Sequence, residues 1–338
     1  MTRASAKAAT IHEIAKRAGV SIASVSRALN GKPGISEGLR EHILAISREI
    51  DYRPSAAARQ LISGKAAVVG ISLGRKDIEL RPYYILLYQH LTLALHRQGM
   101  VPVFFAHDQT ARLPDSAGAA ILLGEFPGDA REAWLGERQV PCVRVGESPS
   151  GFSVGLDERH GLYLATRHLV ERGRRHIVFV GGELASPHKH LRLMGYRDAL
   201  HEAGLEERLL SLPHEVVDAS LTSYRYLNRW LVSLGKASTE PGHDLAFDNL
   251  PFDALACATD ELALGCLAAL EDHGIGVPQQ VAVTGFDDLP TLADQLTTVR
   301  QDIEAVAERA VVLLGEALAG KPAQHVTLPV ELMVRQTS

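Results

Sequence analysis

From residue 65 onward, short runs rich in Val, Ile and Ala alternate with longer runs whose apolar residues recur at helical spacing. Strands are predicted at residues 68–72, 101–105, 119–123, 142–145, 177–180, 215–217, 254–258, 281–285 and 326–334, and helices at residues 83–97, 129–138, 162–171, 191–203, 220–234, 262–273 and 303–318. Because most of these strands are apolar throughout, both faces of each sheet must be covered by helices. The pattern predicts an α/β body of two doubly wound parallel-sheet subdomains.

The first 64 residues follow a different pattern, which predicts a small all-α head. Thr10-Ile11-His12-Glu13 has the spacing of a capping box, so one helix begins at about residue 11. Gly19 permits a tight turn, and Ser21 can cap a second helix over residues 22–29. Apolar residues at positions 39, 43, 46 and 50 predict a third helix.

The second predicted helix has two different faces. Val25 and Leu29 can close a small core together with Val20. The opposite face has short residues at its N-terminal end and one arginine a turn later, namely Ile22, Ala23, Ser26 and Arg27. This arrangement indicates a helix-turn-helix whose second helix reads a DNA groove.

The head is basic and the body is acidic. Residues 1–64 contain ten Lys and Arg against five Asp and Glu, a net charge of +5, whereas the remaining residues contain 25 against 35, a net charge of −10. A basic surface confined to one end is typical of a protein that binds nucleic-acid phosphates with that end only.

The composition argues against several other classes of protein. The chain has no run of about 18 apolar residues, and residues 1–9 lack an apolar core, so a cytoplasmic protein without membrane contact is expected. Cys142, Cys257 and Cys266 lack CxxC spacing and have apolar neighbours, so buried reduced thiols are expected, with no metal and no cofactor. No GxGxxG motif is present, so no dinucleotide site and no enzymatic activity are expected.

Four segments of the head carry a family resemblance: residues 10–21 (TIHEIAKRAGVS), 24–30 (SVSRALN), 52–54 (YRP) and 58–61 (ARQL). They resemble the lactose-repressor/galactose-repressor family of bacterial transcription factors. The resemblance implies a DNA-binding domain over residues 1–54 and a hinge helix over residues 55–64, in which Leu61 wedges into the minor groove of operator DNA. The DNA contacts that it implies are Thr10, Ser21, Ile22, Ala23, Ser24, Ser26, Arg27, Asn30, Tyr52, Ser55, Ala58 and Leu61.

The resemblance continues through the body, at residues 157–161 (DERHG), 192–196 (RLMGY), 259–265 (TDELALG) and 285–288 (GFDD). It implies an effector-binding and dimerisation domain over residues 65–338, with the fold of periplasmic binding proteins. The first subdomain would comprise about residues 65–156 and 290–320. The second would comprise about residues 157–289 and 321–338.

A small-molecule effector is expected between these subdomains, because ligands bind at the carboxyl ends of parallel strands. Arg192 and Asp287 each follow a predicted strand end and can bond sugar hydroxyls, with an interdomain salt bridge as the alternative. Tyr83 can cover the apolar face of a sugar, with core packing as the alternative. The candidate effector contacts are Arg81, Tyr83, His160, Ser186, Arg192, Thr259, Asp287 and Gln301.

The resemblance therefore implies a repressor of a carbohydrate-utilisation operon that a small sugar releases from a palindromic operator. A homodimer is expected, because the chain stops at Ser338 without room for a tetramer-forming tail. Residues 82–84 (PYY) and the short segment 115–128 favour a galactoside, whereas residues 218–219 (DA) stand where lactose-type receptors carry an aromatic residue. Two alternatives stay open: a sugar- or nucleoside-binding receptor without a DNA role, and a regulator whose non-sugar effector is a co-repressor.

Overall fold

The structure of the protein is a computed structural model, and it describes residues 11–29, 33–50, 67–72, 81–124, 128–146, 148, 150–182, 191–213, 218–237, 250–290 and 295–338. The chain divides into two compact units. The first comprises Met1–Gly74, Leu91–Ser153 and Glu308–His325. The second comprises Arg75–His90, Val154–Ala307 and Val326–Ser338.

The described helices are α1 (Ile11–Ala18), α2 (Ile22–Leu29), α3 (Glu37–Glu49), α4 (Pro82–Arg97), α5 (Arg131–Glu137), α6 (Glu158–Glu171), α7 (Leu191–Ala203), α8 (Ala219–Ala237), α9 (Asp260–Asp272) and α10 (Ile303–Leu318), with a 3₁₀ turn at Thr110–Arg112. The described strands are β1 (Ala67–Ser72), β2 (Met100–Phe105), β3 (Ala117–Leu123), β4 (Cys142–Val145), β5 (Phe152–Leu156), β6 (Ile177–Gly182), β7 (Leu209–Leu212), β8 (Ala254–Cys257), β9 (Ala282–Asp287), β10 (Thr297–Arg300), β11 (His325–Leu328) and β12 (Glu331–Met333).

The head consists of α1, α2 and α3, as predicted. Gly19 makes the turn between α1 and α2 possible, because its φ of +64° lies in the left-handed region. The amide of Val20 donates to the carbonyl of Ala15 at 3.1 Å, and the amide of Gly19 donates to that of Lys16 at 3.4 Å, which together form a Schellman cap. The three helices enclose a core of Ile14, Ala15, Val25, Ala28, Ile43 and Ile46.

Each of the two sheets has six strands. The first has the order β11-β5-β4-β3-β1-β2, and β1 pairs in parallel with both β2 and β3. The second has the order β12-β10-β9-β8-β6-β7, in which the five strands from β10 to β7 are parallel and β12 is antiparallel. Every residue of β3, β8 and β9 is buried, as expected for strands with helices on both faces. The doubly wound architecture is therefore confirmed.

The prediction of one strand at residues 326–334 is wrong. The structure has two strands there, β11 at the edge of the first sheet and β12 at the edge of the second. Pro329 lies between them and has no amide to donate to a strand ladder. The predicted strand at residues 215–217 lies outside the described residues, and the strand that follows α7 is β7, which pairs with β6.

The sequence predicted that residues 290–320 belong to the first unit, but only part of this segment does. Strand β10, which was not predicted, pairs in parallel with β9 and so belongs to the second sheet. The segment that returns to the first unit therefore begins at Glu308, and residues 75–90 also belong to the second unit.

Two further expectations concern the cysteines and membrane contact. Cys257 and Cys266 are buried thiols, whereas Cys142 is only half-buried. Within the part of the chain that the structure describes, no helix combines the length and hydrophobicity that a membrane-spanning segment requires.

Candidate functional site

Ser21 fixes the start of α2 in the head. Its hydroxyl accepts a hydrogen bond from the amide of Ser24 at 3.2 Å and lies 3.0 Å from the Ser24 hydroxyl. The first amides of a helix otherwise lack acceptors, so such a cap stabilises the helix by about 1 kcal/mol. The predicted N-cap is therefore present, and it places α2 directly after the Gly19 turn.

The two faces of α2 differ as the sequence predicted. Val25 and Ala28 are buried in the head core. Ile22 is 43% exposed, and Ala23 and Arg27 are also exposed. Helix α2 therefore presents a face of short side chains and one guanidinium that could enter a DNA groove.

Two arginines of the head differ in their partners. Arg17 pairs with Glu13 at 2.9 Å and with Glu49 at 3.4 Å, so carboxylates offset its charge. No carboxylate among the described residues pairs with Arg27, whose guanidinium can therefore bond a base edge or a phosphate. Ser26 is half-buried on α2. Six predicted DNA contacts of the head and hinge lie outside the described residues: Thr10, Asn30, Tyr52, Ser55, Ala58 and Leu61.

In the second unit, Arg192 at the start of α7 is the centre of a polar cluster. Its Nη1 donates to the carbonyl of Ala258 at 2.6 Å and to the carboxylate of Asp287 at 3.5 Å, and its Nη2 donates to Glu158 at 3.0 Å. The guanidinium carbon lies 3.8 Å from the centre of the Phe286 ring. Burial works to lower the pKa of Arg192, but the two carboxylates outweigh it and raise that pKa, so the side chain stays charged.

Asp287 ends β9 in a backbone conformation that few residues other than glycine adopt, with a φ of +127°. Its carboxylate is almost fully buried and accepts a hydrogen bond from the side-chain amide of Gln301. Burial raises the pKa of Asp287 well above its ordinary value, and the charge of Arg192 works against that rise. Three of the predicted effector contacts, Arg192, Asp287 and Gln301, therefore lie together.

Two tyrosines at the start of α4 belong to the same cluster. The rings of Tyr83 and Tyr84 meet edge to face, with centroids 5.2 Å apart. Burial raises the pKa of Tyr83 well above its ordinary value and that of Tyr84 to about 12, and the charges of Glu158 and Asp287 add to both effects. Both hydroxyls therefore remain neutral and able to donate.

Arg81 and Thr259 lie next to this cluster. Burial raises the pKa of Glu261, and the positive charge of Arg81 works against that rise. The Thr259 hydroxyl caps α9 by accepting from the amide of Leu262 at 3.3 Å. Thr259 therefore has a structural role already, although the carbonyl of the preceding Ala258 bonds Arg192.

The structure does not bring His160 to this cluster. His160 is exposed, and its ring stacks on Tyr163 with centroids 5.9 Å apart. It lies two positions after Glu158 on α6, a spacing that separates side chains around a helix. His160 instead lines an open groove of about 490 Å³ between α6 and α7. Ser186, the remaining predicted contact, lies outside the described residues.

Two carboxylates of the cluster were not predicted. Glu158 bonds Arg192 directly, as described above. Asp260 is fully buried and accepts from the amide of Leu289 at 3.0 Å and from the hydroxyl of Thr298. A Cβ atom at Gly285 would lie 2.3 Å from Asp260, so this position requires glycine. An acidic residue directly after a strand-end threonine was the available signal for Asp260.

The first unit contains a second, separate charged network at the carboxyl ends of β1 and β3. Asp129 accepts from Nε and Nη2 of Arg131, at 2.9 and 2.7 Å, and from Nη1 of Arg144 at 2.8 Å. Arg131 also donates to the hydroxyl of Ser72 at 3.0 Å, and Arg144 donates to Glu132 at 2.6 Å. This network was not predicted, because charged residues on an amphipathic helix are expected to face solvent.

Comparison with known families gives two matches that together cover both the head and most of the second unit. Residues 10–55 match the family described as bacterial regulatory proteins, lacI family. Residues 166–338 match the family described as periplasmic binding protein-like domain.

Individual proteins match nearly the whole chain. It is 32% identical to the HTH-type transcriptional regulator reg1 of Streptomyces lividans over 352 aligned positions, which cover 96% of this chain and 94% of the relative. The transcriptional regulator CelR in complex with cellobiose has a TM-score of 0.67 at 25% identity, covering 98% of this chain and 100% of that one. The lac repressor dimer bound to operator and the anti-inducer ONPF has a TM-score of 0.66 at 22% identity, covering 98% and 99%.

Proposed function

Because the chain belongs to the lacI family of bacterial regulatory proteins, we propose that it represses an operon by binding its operator and leaves that operator when a small sugar binds the second unit. The chain is a DNA-binding transcriptional regulator. The observation that carries the proposal is the outward face of α2, where Arg27 is exposed and has no carboxylate partner among the described residues.

Arg27→Ala is expected to weaken binding to the specific operator much more than binding to random DNA. An arginine that bonds a guanine edge contributes about 1–3 kcal/mol of discrimination, whereas a phosphate contact acts on all sequences alike. The measurement is a gel shift on both DNAs. Arg48→Ala, which removes the same charge from the exposed surface of α3, serves as the control. Equal losses on operator and random DNA would show that α2 is not the reading helix.

The effector site that we propose is the cluster around Arg192 and Asp287. It combines a fixed guanidinium, buried carboxyl groups and neutral tyrosine hydroxyls, which are the groups that hold sugar hydroxyls. The structural relative CelR is described in complex with cellobiose, which supports a sugar ligand. Galactosides are the first candidates, because the PYY segment at residues 82–84 resembles regulators of β-galactosidase operons.

We propose that the active form is a homodimer on a palindromic operator. One head buries too little surface for a tight specific complex, so two heads are needed. The first unit exposes Phe104 on β2 and Val312 on α10, which are 48% and 49% exposed, and Val312 also lines a groove of about 350 Å³ beside the Arg97–Glu308 ion pair. The related lac repressor is described as a dimer on its operator.

Val312→Asp is expected to dissociate this dimer, because burying a further carboxylate beside Glu308 in the interface is unfavourable. Operator binding should weaken at least about tenfold, since two linked heads bind more tightly than one. Sedimentation velocity measures the association, and Val312→Ala, which keeps the site apolar, should remain a dimer. A Val312→Asp variant that sediments like the wild type would place the interface elsewhere.

A further inference from the structure

The cluster around Arg192 contains more carboxyl groups than guanidinium groups. Glu158 and Asp287 both bond Arg192. Burial raises the pKa of Asp287 most, and the charges of Asp260, Glu158 and Glu261 raise it further. The cationic side chains of this cluster among the described residues are Arg192 and Arg81.

Both of these cations already have negative partners. The Nη1 and Nη2 atoms of Arg192 bond Ala258, Asp287 and Glu158, and its planar face lies on Phe286. Protonation of Asp287 would not change this, because Glu158 would still neutralise the guanidinium. Arg81 lies near Glu261 and acts against the rise in the pKa of that carboxyl group, which burial causes.

A ligand with a negative charge would therefore find the Arg192 guanidinium already bonded to two carboxyl groups and would be repelled by Glu158. Repulsion between like charges is stronger there than in bulk water, because Glu158 and Arg192 are partly shielded from solvent. A neutral ligand with many hydroxyl groups can instead donate to the carboxylates and accept from Tyr83 and Arg192. The charge of the cluster thus distinguishes a neutral sugar from its phosphorylated or uronic acid forms.

We propose that this site accepts only uncharged polyhydroxy ligands, and that Glu158 is the residue that excludes phosphorylated sugars and uronic acids. The proposal rests on the proposed function, in which a sugar occupies this site. It assigns to Glu158 a role in ligand selection through charge, in addition to its ion pair with Arg192.

The test is titration calorimetry of the full chain with matched sugars: galactose, lactose and cellobiose against galactose 6-phosphate and galacturonate. Each anionic sugar is expected to bind at least about 100-fold more weakly than its neutral parent. Glu158→Gln, which removes the charge and keeps the shape, should reduce that gap to about tenfold or less. Glu202→Gln is the matched control, because Glu202 lies on α7 and bonds Tyr163 instead of Arg192, and it should leave the gap unchanged.

An anionic sugar that binds the wild type as tightly as its neutral parent overturns the proposal. If that sugar also releases operator DNA, the proposed function stands while the charge selection fails. If a neutral sugar binds selectively but leaves operator affinity unchanged, the charge selection stands while the proposed function fails.

Inorganic phosphate provides a second probe that does not depend on finding the sugar. Phosphate is expected to change the melting temperatures of the wild type and of Arg192→Gln by the same amount. The reason is that carboxylates already neutralise the Arg192 guanidinium. Phosphate that stabilises the wild type but not Arg192→Gln would overturn the proposal even if no sugar of the panel binds.

Discussion

Replacing Arg192 or Asp287 with alanine is expected to abolish the response to the sugar and to leave operator binding in the absence of sugar nearly unchanged. Each substitution removes a side chain that we propose to hold sugar hydroxyls, Asp287 being buried and Arg192 half-buried. Hydrogen bonds that involve a charged group contribute about 1.5–3 kcal/mol each, so losing two should raise the Kd for the sugar at least about 100-fold. The head core contains neither residue, so the reading surface of α2 should be unaffected.

Titration calorimetry with the best sugar of the panel measures this loss of sugar affinity. Titration with operator DNA measures the operator affinity in the absence of sugar. Arg197→Ala is the control on the same helix, because Arg197 makes a half-exposed pair with Glu207 at 2.7 Å and has no contact with the cluster. Full sugar affinity in both Arg192→Ala and Asp287→Ala would mean that the effector binds elsewhere.

Asp129→Ala is expected to destabilise the first unit strongly. Asp129 joins the almost fully buried guanidinium groups of Arg131 and Arg144, and its removal leaves both with unsatisfied donors. Removing one partner of a buried ion pair typically lowers the free energy of unfolding by about 3–5 kcal/mol. Urea unfolding measures the loss. Asp198→Ala, which breaks a more exposed pair with Arg159, should lower it by less than about 1 kcal/mol.

The same network predicts how acid changes the stability of the first unit. Although burial disfavours its ionised form, hydrogen bonds from Arg131 and Arg144 hold the pKa of Asp129 at about 2, below its ordinary value of 3.8. The stability that this carboxylate contributes is therefore present above pH 3.8 and is lost as the pH falls towards 2. Equal urea stability of Asp129→Ala and Asp198→Ala at neutral pH would contradict the role given to this network.

Local signals in the sequence predicted the head and most of the helices. Gly19 and Ser21 define the start of α2, because a left-handed turn and a side-chain cap each need a particular residue type. The bounds of α7 and α10 were also predicted correctly.

Tertiary pairing decided the features that the sequence did not predict. Strand β10 contains only four residues, two of them threonines, and its place beside β9 depends on ladder bonds such as the pairing of Thr297 with Thr284. The ion pair between Glu158 and Arg192 joins residues 34 positions apart. The Arg131 and Arg144 side chains can be buried because Asp129 accepts their hydrogen bonds. The spacing of apolar residues in the sequence cannot reveal such a pairing.

The central claim is that one ligand-responsive chain controls one operator. The operator DNA is first selected from a random library with the wild-type protein. The claim is then tested directly by fluorescence anisotropy, in which this DNA is titrated with the protein in the presence and absence of the best neutral sugar. We expect the sugar to weaken operator binding of the wild type about 5- to 150-fold, and to have no effect on Arg192→Ala. Operator affinity that rises with the sugar, or that does not change in the wild type, would contradict the claim.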